Sequence, residues 1–361
     1  MLANFFSSVL ACTIIAVISR VYFLCTRRRR DFPVVNDYPG DLFRKRAYQD
    51  YNDNAKQLIA NGFSRYNGPF AILVPGGMKI ILPSSLSDWV KTNRNLDHHQ
   101  LVREEYFAGY PGFEAQQAVH SSDRMMINLL RGKLSQNEAV LPIVNQHIAT
   151  ALYEHWGDSK SWHVIEWNED TTGIISKAAA CVFVGPEKAC DPEWQVLIQA
   201  YVREYFAAVG ELRSWPALLR PIVQWFLPHS TACRAIVPKV RAIMRSVVEK
   251  RRQKAEAAAE HGAEPPQYND FVAWSCSAPT NTLEPGDLQL GLAMAALFTT
   301  SELLRQILID IAQHSELITP LREEITQVLN SSGLGLAGLD SLELLDSVMK
   351  ESQRLSSAIS K

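Results

Sequence analysis

"LGLAMAALFTTSELLRQILIDIA" runs from Leu290 to Ala312 and is apolar on nearly every side. A helix without a polar stripe belongs in the middle of something, because no face of it suits water. Thr299 and Thr300 interrupt it, one turn after the small residues Ala295 and Ala296. Two readings of Thr299 stand at this point. Its hydroxyl can bond back to the carbonyl one turn earlier, as threonines in buried helices commonly do. Alternatively, Ala295 and Ala296 leave a groove in which the hydroxyl meets water or a bound diatomic ligand.

Outward from this segment the chain reads mostly as helix. Residues 42–60 put Tyr51, Ala55, Leu58 and Ile59 on one face, with Gly62 where a left-handed C-cap would sit. Ser135 and Glu138 have capping-box spacing before a stripe of Leu141, Val144, Ile148 and Leu152 that ends near Gly157. Further helices are predicted over Glu193–Val209, Cys233–Ala259 and Asp287–His314, the second of these ending in a solvated segment stopped by Pro265 and Pro266. Two β-branched-rich runs, Phe70–Val74 and Met78–Leu82, flank Pro75, Gly76 and Gly77 and predict a hairpin. The fold class expected is mainly α with a small β part.

The chain has 361 residues, 36 basic against 38 acidic, and a formal charge of -2, a balance that argues against nucleic acid as a partner. Its six cysteines, Cys12, Cys25, Cys181, Cys190, Cys233 and Cys276, form no C-x-x-C pair, so neither a zinc site nor a disulfide framework is indicated. Leu2 to Cys25 is an apolar run of about the ~20 residues that cross a bilayer. Arg27 to Arg30 follow directly, which by the positive-inside rule puts the N-terminus in the lumen and the rest in the cytosol. A buried core helix is the poorer alternative, since it would set four arginines beside a core. The organisation expected is an anchor over 1–26, a basic, proline-bearing connector over 27–41 that includes "DFPVVNDYPG", and a domain over 42–361.

"KESQRL", Lys350 to Leu355, holds Glu351 and Arg354 at a helical spacing of three, a pair that taken alone is a surface ion pair. In order along the chain stand an apolar N-terminal run, a basic stop, a proline-bearing connector, a helix, a hairpin, the A-A-x-x-T-T helix and K-E-x-x-R. That ordered set resembles the cytochrome P-450 family of haem-thiolate monooxygenases. More locally, "GFSRYNGPF", "FAGYPGFE" (Phe107 to Glu114), "VFVG" (Val182 to Gly185) and "LREEITQVL" are similar to filamentous-fungal members acting on terpenoids and other secondary metabolites, including the ent-kaurene oxidase-like group.

The resemblance implies a haem cofactor, electrons from an NADPH-dependent cytochrome P-450 reductase, a lipophilic substrate and a place on the endoplasmic reticulum membrane. It implies that Thr299 helps deliver protons to iron-bound oxygen, and that Glu351 and Arg354 form the family's structural pair. It puts Phe107, Tyr110 and Phe113 on a loop over the substrate, with Ala295, Ala296 and Phe298 lining the pocket. The sequence also departs from the pattern. Phe298 stands where the family often has an acid and cannot relay a proton. No W-x-x-x-R occurs, which leaves His120 and Arg124 as substitute haem-propionate partners. The ligand loop F-x-x-G-x-x-x-C-x-G is absent, so no cysteine is assigned to iron. The expectation is a family member incomplete at the C-terminus and inactive by itself, whose alternative is a catalytically inactive membrane-anchored remnant.

Overall fold

The computed structural model describes residues 31–41, 43–121, 124–135, 137–278 and 283–355, together with Thr13, Ile15, Ile18 and Ser19, all four helical and exposed. Most of the expected anchor and the basic run after it lie outside the described residues. The chain divides into two compact units, Met1–Asp97 and His98–Lys361. The division falls inside the stretch that the sequence assigns to one domain.

The first unit is built on α1 (Lys45–Arg65) and a hairpin of β1 (Phe70–Val74) and β2 (Gly77–Ile81), paired antiparallel from Phe70 opposite Ile81 to Val74 opposite Gly77. Leu58, Phe70, Ile72 and Val74 make its core, with Tyr51 and Ile59 packed against them. Gly62 is not a C-cap. The helix runs on to Arg65, and Gly62 is buried within it, where a Cβ would come within 2.2 Å of the Phe70 ring. The connector is also more than a spacer. Val34 bridges Ala71 in parallel, the Val35 amide donates to Ala71 O (3.0 Å), and the Ala71 amide donates to Pro33 O (2.8 Å). Asn36, wholly buried, accepts from the Leu73 amide (2.8 Å) and donates to Leu73 O (2.9 Å) and Ala47 O (3.0 Å). A buried amide must find such partners, and here they clamp the connector to the hairpin and to α1.

The second unit is helical: α2 (His98–Glu105), α3 (Glu114–Val119), α4 (Met125–Leu129), α5 (Leu141–Trp156), α6 (Trp167–Phe183), α7 (Pro192–Ser214), α8 (Pro228–Glu260), α9 (Phe271–Cys276), α10 (Pro285–Gln313), α11 (Ile318–Ser332) and α12 (Glu343–Leu355). The expected capping box does not form. Ser135 closes the wide turn before it, its hydroxyl donating to Leu130 O, while Glu138 reaches away to accept from the Leu336 amide (3.2 Å). Asp191 caps α7 instead, accepting from the Glu193 (2.9 Å) and Trp194 (3.3 Å) amides. The long helix α8 stops at Glu260, before Pro265, because Gly262 takes a left-handed conformation at φ 66°.

Helix α10 is the axle of this unit, packed against α3, α6, α7, α8 and α12. Leu288, Leu290, Leu292 and Leu297 are each at most 2% exposed. Burying each contributes about 1.5–3 kcal/mol. Among the described residues α10 is also the one helix long and apolar enough to cross a membrane, and its place in the core accounts for that character. Ion pairs fix its neighbours: Arg241 on α8 grips Asp287 with two bonds of 2.8 Å. Between α7 and α8 the chain turns outward and exposes Trp215, Leu218, Ile222, Trp225 and Phe226.

Candidate active site

Helix α10 is buried all round from Leu288 to Met294 and on one side only from Ala295 onward. Leu290, Gly291, Leu292, Ala293, Met294, Leu297 and Ser301 face the core, whereas Ala295, Phe298, Thr299 and Thr300 are exposed and Ala296 is half-buried. Residues 295, 298 and 299 share one face at helical spacing, so the open side is a shelf of one small residue, one ring and one hydroxyl, with half-buried Ala296 beside it. The Thr299 hydroxyl donates to Ala295 O at 2.7 Å, the back-bond that the first reading of the sequence anticipated. A hydroxyl has two acceptor lone pairs as well, and on an exposed residue these remain open to a bound water. Below the shelf, Arg305 donates to Thr171 on α6 (3.0 Å) and to Glu302 (2.8 Å), which holds the following turn of α10 in place.

An unbroken series of rings leads from the shelf into the core. Phe298 meets Phe206 at 5.1 Å, Phe206 meets Tyr205 at 5.6 Å, Tyr205 meets Phe113 at 5.0 Å, and Phe113 meets Phe107 at 6.3 Å. These separations are those of favourable aromatic pairs. Phe113 is fully buried and Phe107 nearly so, with Phe107 in a left-handed conformation at φ 55°. Tyr110, half-buried, stacks on Phe107 at 5.4 Å. The turn is pinned from α7: the Tyr201 hydroxyl donates to Gly112 O (2.9 Å) and the Tyr205 hydroxyl to Tyr106 O (2.7 Å). Burial raises the pKa of both phenols, which keeps them donors. The turn from Phe107 to Glu114 is therefore part of the core rather than a free flap. Sequence reasoning passed over Tyr201, Tyr205 and Phe206, although two tyrosines four apart on one helix were the available signal.

The remaining candidates lie elsewhere. His120, just after α3, pairs with His99 through Nδ1 atoms 2.9 Å apart, and its pKa is lowered by burial and by the nearby His99, His98 and Arg103. Arg124 is exposed at the start of α4 in a left-handed conformation at φ 51°. Glu351 and Arg354 pair with each other in fork geometry (2.6 and 2.7 Å) and are exposed on α12, the alternative that spacing alone suggested. Val184 and Gly185 have a role in the fold. Arg251 donates to Val184 O (3.1 Å) and to both oxygens of buried Asp270 (2.7 Å each), and Gly185, at φ 97°, leaves room for that pair, since a Cβ would stand 2.8 Å from Asp270 Oδ2.

This arrangement of helices matches a known fold. The retinoic-acid-bound cyanobacterial CYP120A1 superposes with a TM-score of 0.59 over 84% of this chain and 66% of its own, at 16% identity, a likeness of fold. Residues 92–360 match the Cytochrome P450 family model, and the chain belongs to the cytochrome P450 family. It is 36% identical over 291 residues to cytochrome P450 monooxygenase 1 of Gibberella fujikuroi, 31% over 348 residues to cytochrome P450 monooxygenase adrA of Penicillium rubens, and 30% over 340 residues to dihydromonacolin L monooxygenase LovA of Aspergillus terreus. These matches take in 80%, 94% and 93% of this chain. The chain spans 66%, 68% and 64% of the length of those relatives.

The family implies haem, and the described residues meet its needs unevenly. The shelf on α10 suits a flat apolar group. The thiols do not suit its iron. Burial pushes Cys181 and Cys233 up to about 12, so at neutral pH they are protonated and not thiolates. Burial raises Cys276 too, and Cys190 sits on a turn facing His147. All four lie on elements other than α10. Among the described residues no group of three or more His, Cys, Asp or Glu is placed to hold a metal ion.

Proposed function

We propose that this chain is the larger part of a membrane-bound monooxygenase of fungal secondary metabolism that oxidises a lipophilic compound such as a terpenoid. The observation that carries this reading is the open face of α10 around Thr299, a small apolar shelf with a hydroxyl that follows two turns of the same helix buried all round. When bound, haem would supply activation of O2 and insertion of one oxygen atom, with electrons from an NADPH-dependent reductase.

The residues of this chain would do the rest. Ala295, Ala296 and Phe298 offer the substrate an apolar wall and exclude water from it. Phe206 backs Phe298, and the rings of Phe107, Tyr110 and Phe113 fix that wall at a distance. Thr299 holds a water at its free lone pairs and passes a proton through its Oγ1, a task that Phe298 cannot share. His120 and Arg124 are candidates to meet a propionate, and Glu351 with Arg354 to brace the segment beneath. The thiolate would come from the third of the relatives' length with no counterpart in these 361 residues. Leu2 to Cys25 would anchor the protein in the endoplasmic reticulum with the catalytic part in the cytosol, and the exposed tryptophans and leucines between α7 and α8 favour a second contact with lipid.

One observation favours the alternative, an inactive anchored remnant: no described cysteine suits iron. Sequencing the transcript through and past the Lys361 codon separates the two. An in-frame F-x-x-G-x-x-x-C-x-G supports the enzyme, and a stop codon supports the remnant. The carbon-monoxide spectrum of the reduced 361-residue chain tests the assignment of the ligand itself, since a Soret band of thiolate type would show that a cysteine named above had taken the iron.

A further inference from the structure

The sequence contains Asn-Gly twice, at Asn61 with Gly62 and at Asn67 with Gly68, and the fold gives the two pairs opposite surroundings. The first pair lies inside α1. Gly62 is buried against the Phe70 ring, its amide belongs to the hydrogen-bonded ladder of the helix, and the Asn61 side-chain oxygen accepts from Gln57 Nε2 (3.2 Å). The second pair lies just beyond the end of α1, in the bend that leads to β1. Asn67 is exposed, and among the described residues neither its side chain nor the Gly68 amide has a hydrogen-bond partner. A Cβ at Gly68 would meet nothing within 4 Å, so nothing beyond its chain neighbours crowds it. The bend is fixed at both ends: the Tyr66 amide donates to Gly62 O (3.0 Å), and Phe70 is fully buried.

We propose that Asn67 is a site of spontaneous deamidation, where water converts the side-chain amide to isoaspartate and aspartate while Asn61 is spared. The Gly68 amide nitrogen gives up its proton to hydroxide and attacks Asn67 Cγ. A C–N bond forms, the bond from Cγ to the side-chain nitrogen breaks, and that nitrogen leaves as ammonia with a proton taken from water. Water then opens the cyclic imide. Addition at the main-chain carbonyl leaves the backbone running through Cγ as isoaspartate, and addition at Cγ gives aspartate. The sum is water in and ammonia out, with nothing oxidised or reduced. Glycine permits the attack because no Cβ shields its nitrogen. The nitrogen can face Cγ only if the asparagine leaves helical ψ. In α1 that would break ladder bonds and lift Gly62 off Phe70, whereas in the bend it costs no hydrogen bond. Each event sets a carboxylate between Tyr66 and Phe70, and isoaspartate also lengthens the backbone there by a methylene.

The test holds the full 361-residue chain in detergent, in mildly alkaline buffer made with heavy-oxygen water, and follows both Asn-Gly peptides over time by mass spectrometry. Heavy oxygen marks only the groups hydrolysed during the incubation. Asn67 is expected to take up label at least about tenfold faster than Asn61, the factor that about 1.4 kcal/mol of local helix opening imposes. In urea the two sites should label at similar rates, because the fold is what distinguishes them. Gly68→Ala, whose Cβ has open space, should slow labelling of Asn67 severalfold and leave Asn61 unchanged. Equal labelling of the two sites without urea, or undiminished labelling of Asn67 in Gly68→Ala, would overturn the proposal. So would a difference that persists in urea, since it would belong to the neighbouring sequence and not to the fold.

Discussion

At the scale of single residues, Thr299 is the position where stability and chemistry separate most cleanly. Its hydroxyl makes one bond, to Ala295 O, on an exposed face. Thr299→Ala should therefore cost no more than about 1 kcal/mol in urea unfolding. In a catalytically complete protein it should divert reducing equivalents from product to peroxide, and unchanged product per NADPH would return the hydroxyl to a structural role. Histidines provide a second test. The pKa of His147 and His120 is lowered, each chiefly by burial, whereas that of His229 is raised by its bond to Glu204. For the first two, the unfolded chain takes up protons near 6.5 before the folded one does, so they subtract stability as pH falls through about 6.5. His229 acts in the opposite sense, contributing below about 6.5 and losing that contribution as pH rises through its folded value; with more than a third of its side chain exposed, it contributes little. Ring-proton NMR should find His120 and His147 titrating below the ordinary value and His229 above it.

At the scale of elements, two sites show how close packing decides matters that propensity would decide differently. Gly62→Ala should raise helix propensity by about 1 kcal/mol. The new methyl would, however, meet a fully buried Phe70 ring at 2.2 Å, and overpacking costs about 1–3 kcal/mol, so the clash should win or cancel the gain. A clear rise in melting temperature would show that Phe70 can move aside. Asp270→Ala would strand Arg251, 17% exposed at its side chain, without its fork partner and remove a bond to the Ala273 amide. A loss of about 3–5 kcal/mol is expected by denaturant titration, against little change for an exposed pair such as Glu351 with Arg354.

These elements also show what the sequence makes legible. α10, the hairpin and the long helices follow from periodicity, because each has a face or a span that water would reject. Gly62 and Asn36 do not follow. The distance of Gly62 from Phe70 and the reach of Asn36 to Leu73 and Ala47 are properties of tertiary packing, absent from any local window. At the site, Thr299 and the alanines before it are readable from one helix. The ring series is not, since it joins residues from the 107–113 turn, α7 and α10. The haem-side placement of Glu351 and Arg354 likewise rests on likeness, not on spacing.

For the whole molecule, the unequal burial of α10 and α12 sets a further expectation. Phe298, Ile309, Met349 and Leu355 are all more than a third exposed on these two packed helices. Apolar surface of this kind marks a site of association. The 361-residue chain should therefore bind a dye such as anilinonaphthalene sulfonate at neutral pH without denaturant, and Phe298→Ser with Leu355→Ser should reduce the signal. Absence of dye binding would show that this face is covered by the protein itself.

The clamp at Asn36 bears on how force entering through the connector would travel in the first unit. A pull on the chain before Asp31 would reach Pro33, Val35 and Asn36 first, and their bonds to Ala71, Leu73 and Ala47 would share the load between the hairpin and α1. The buried amide thus acts as a mechanical stop, spreading a load on the connector over two elements of the first unit at once.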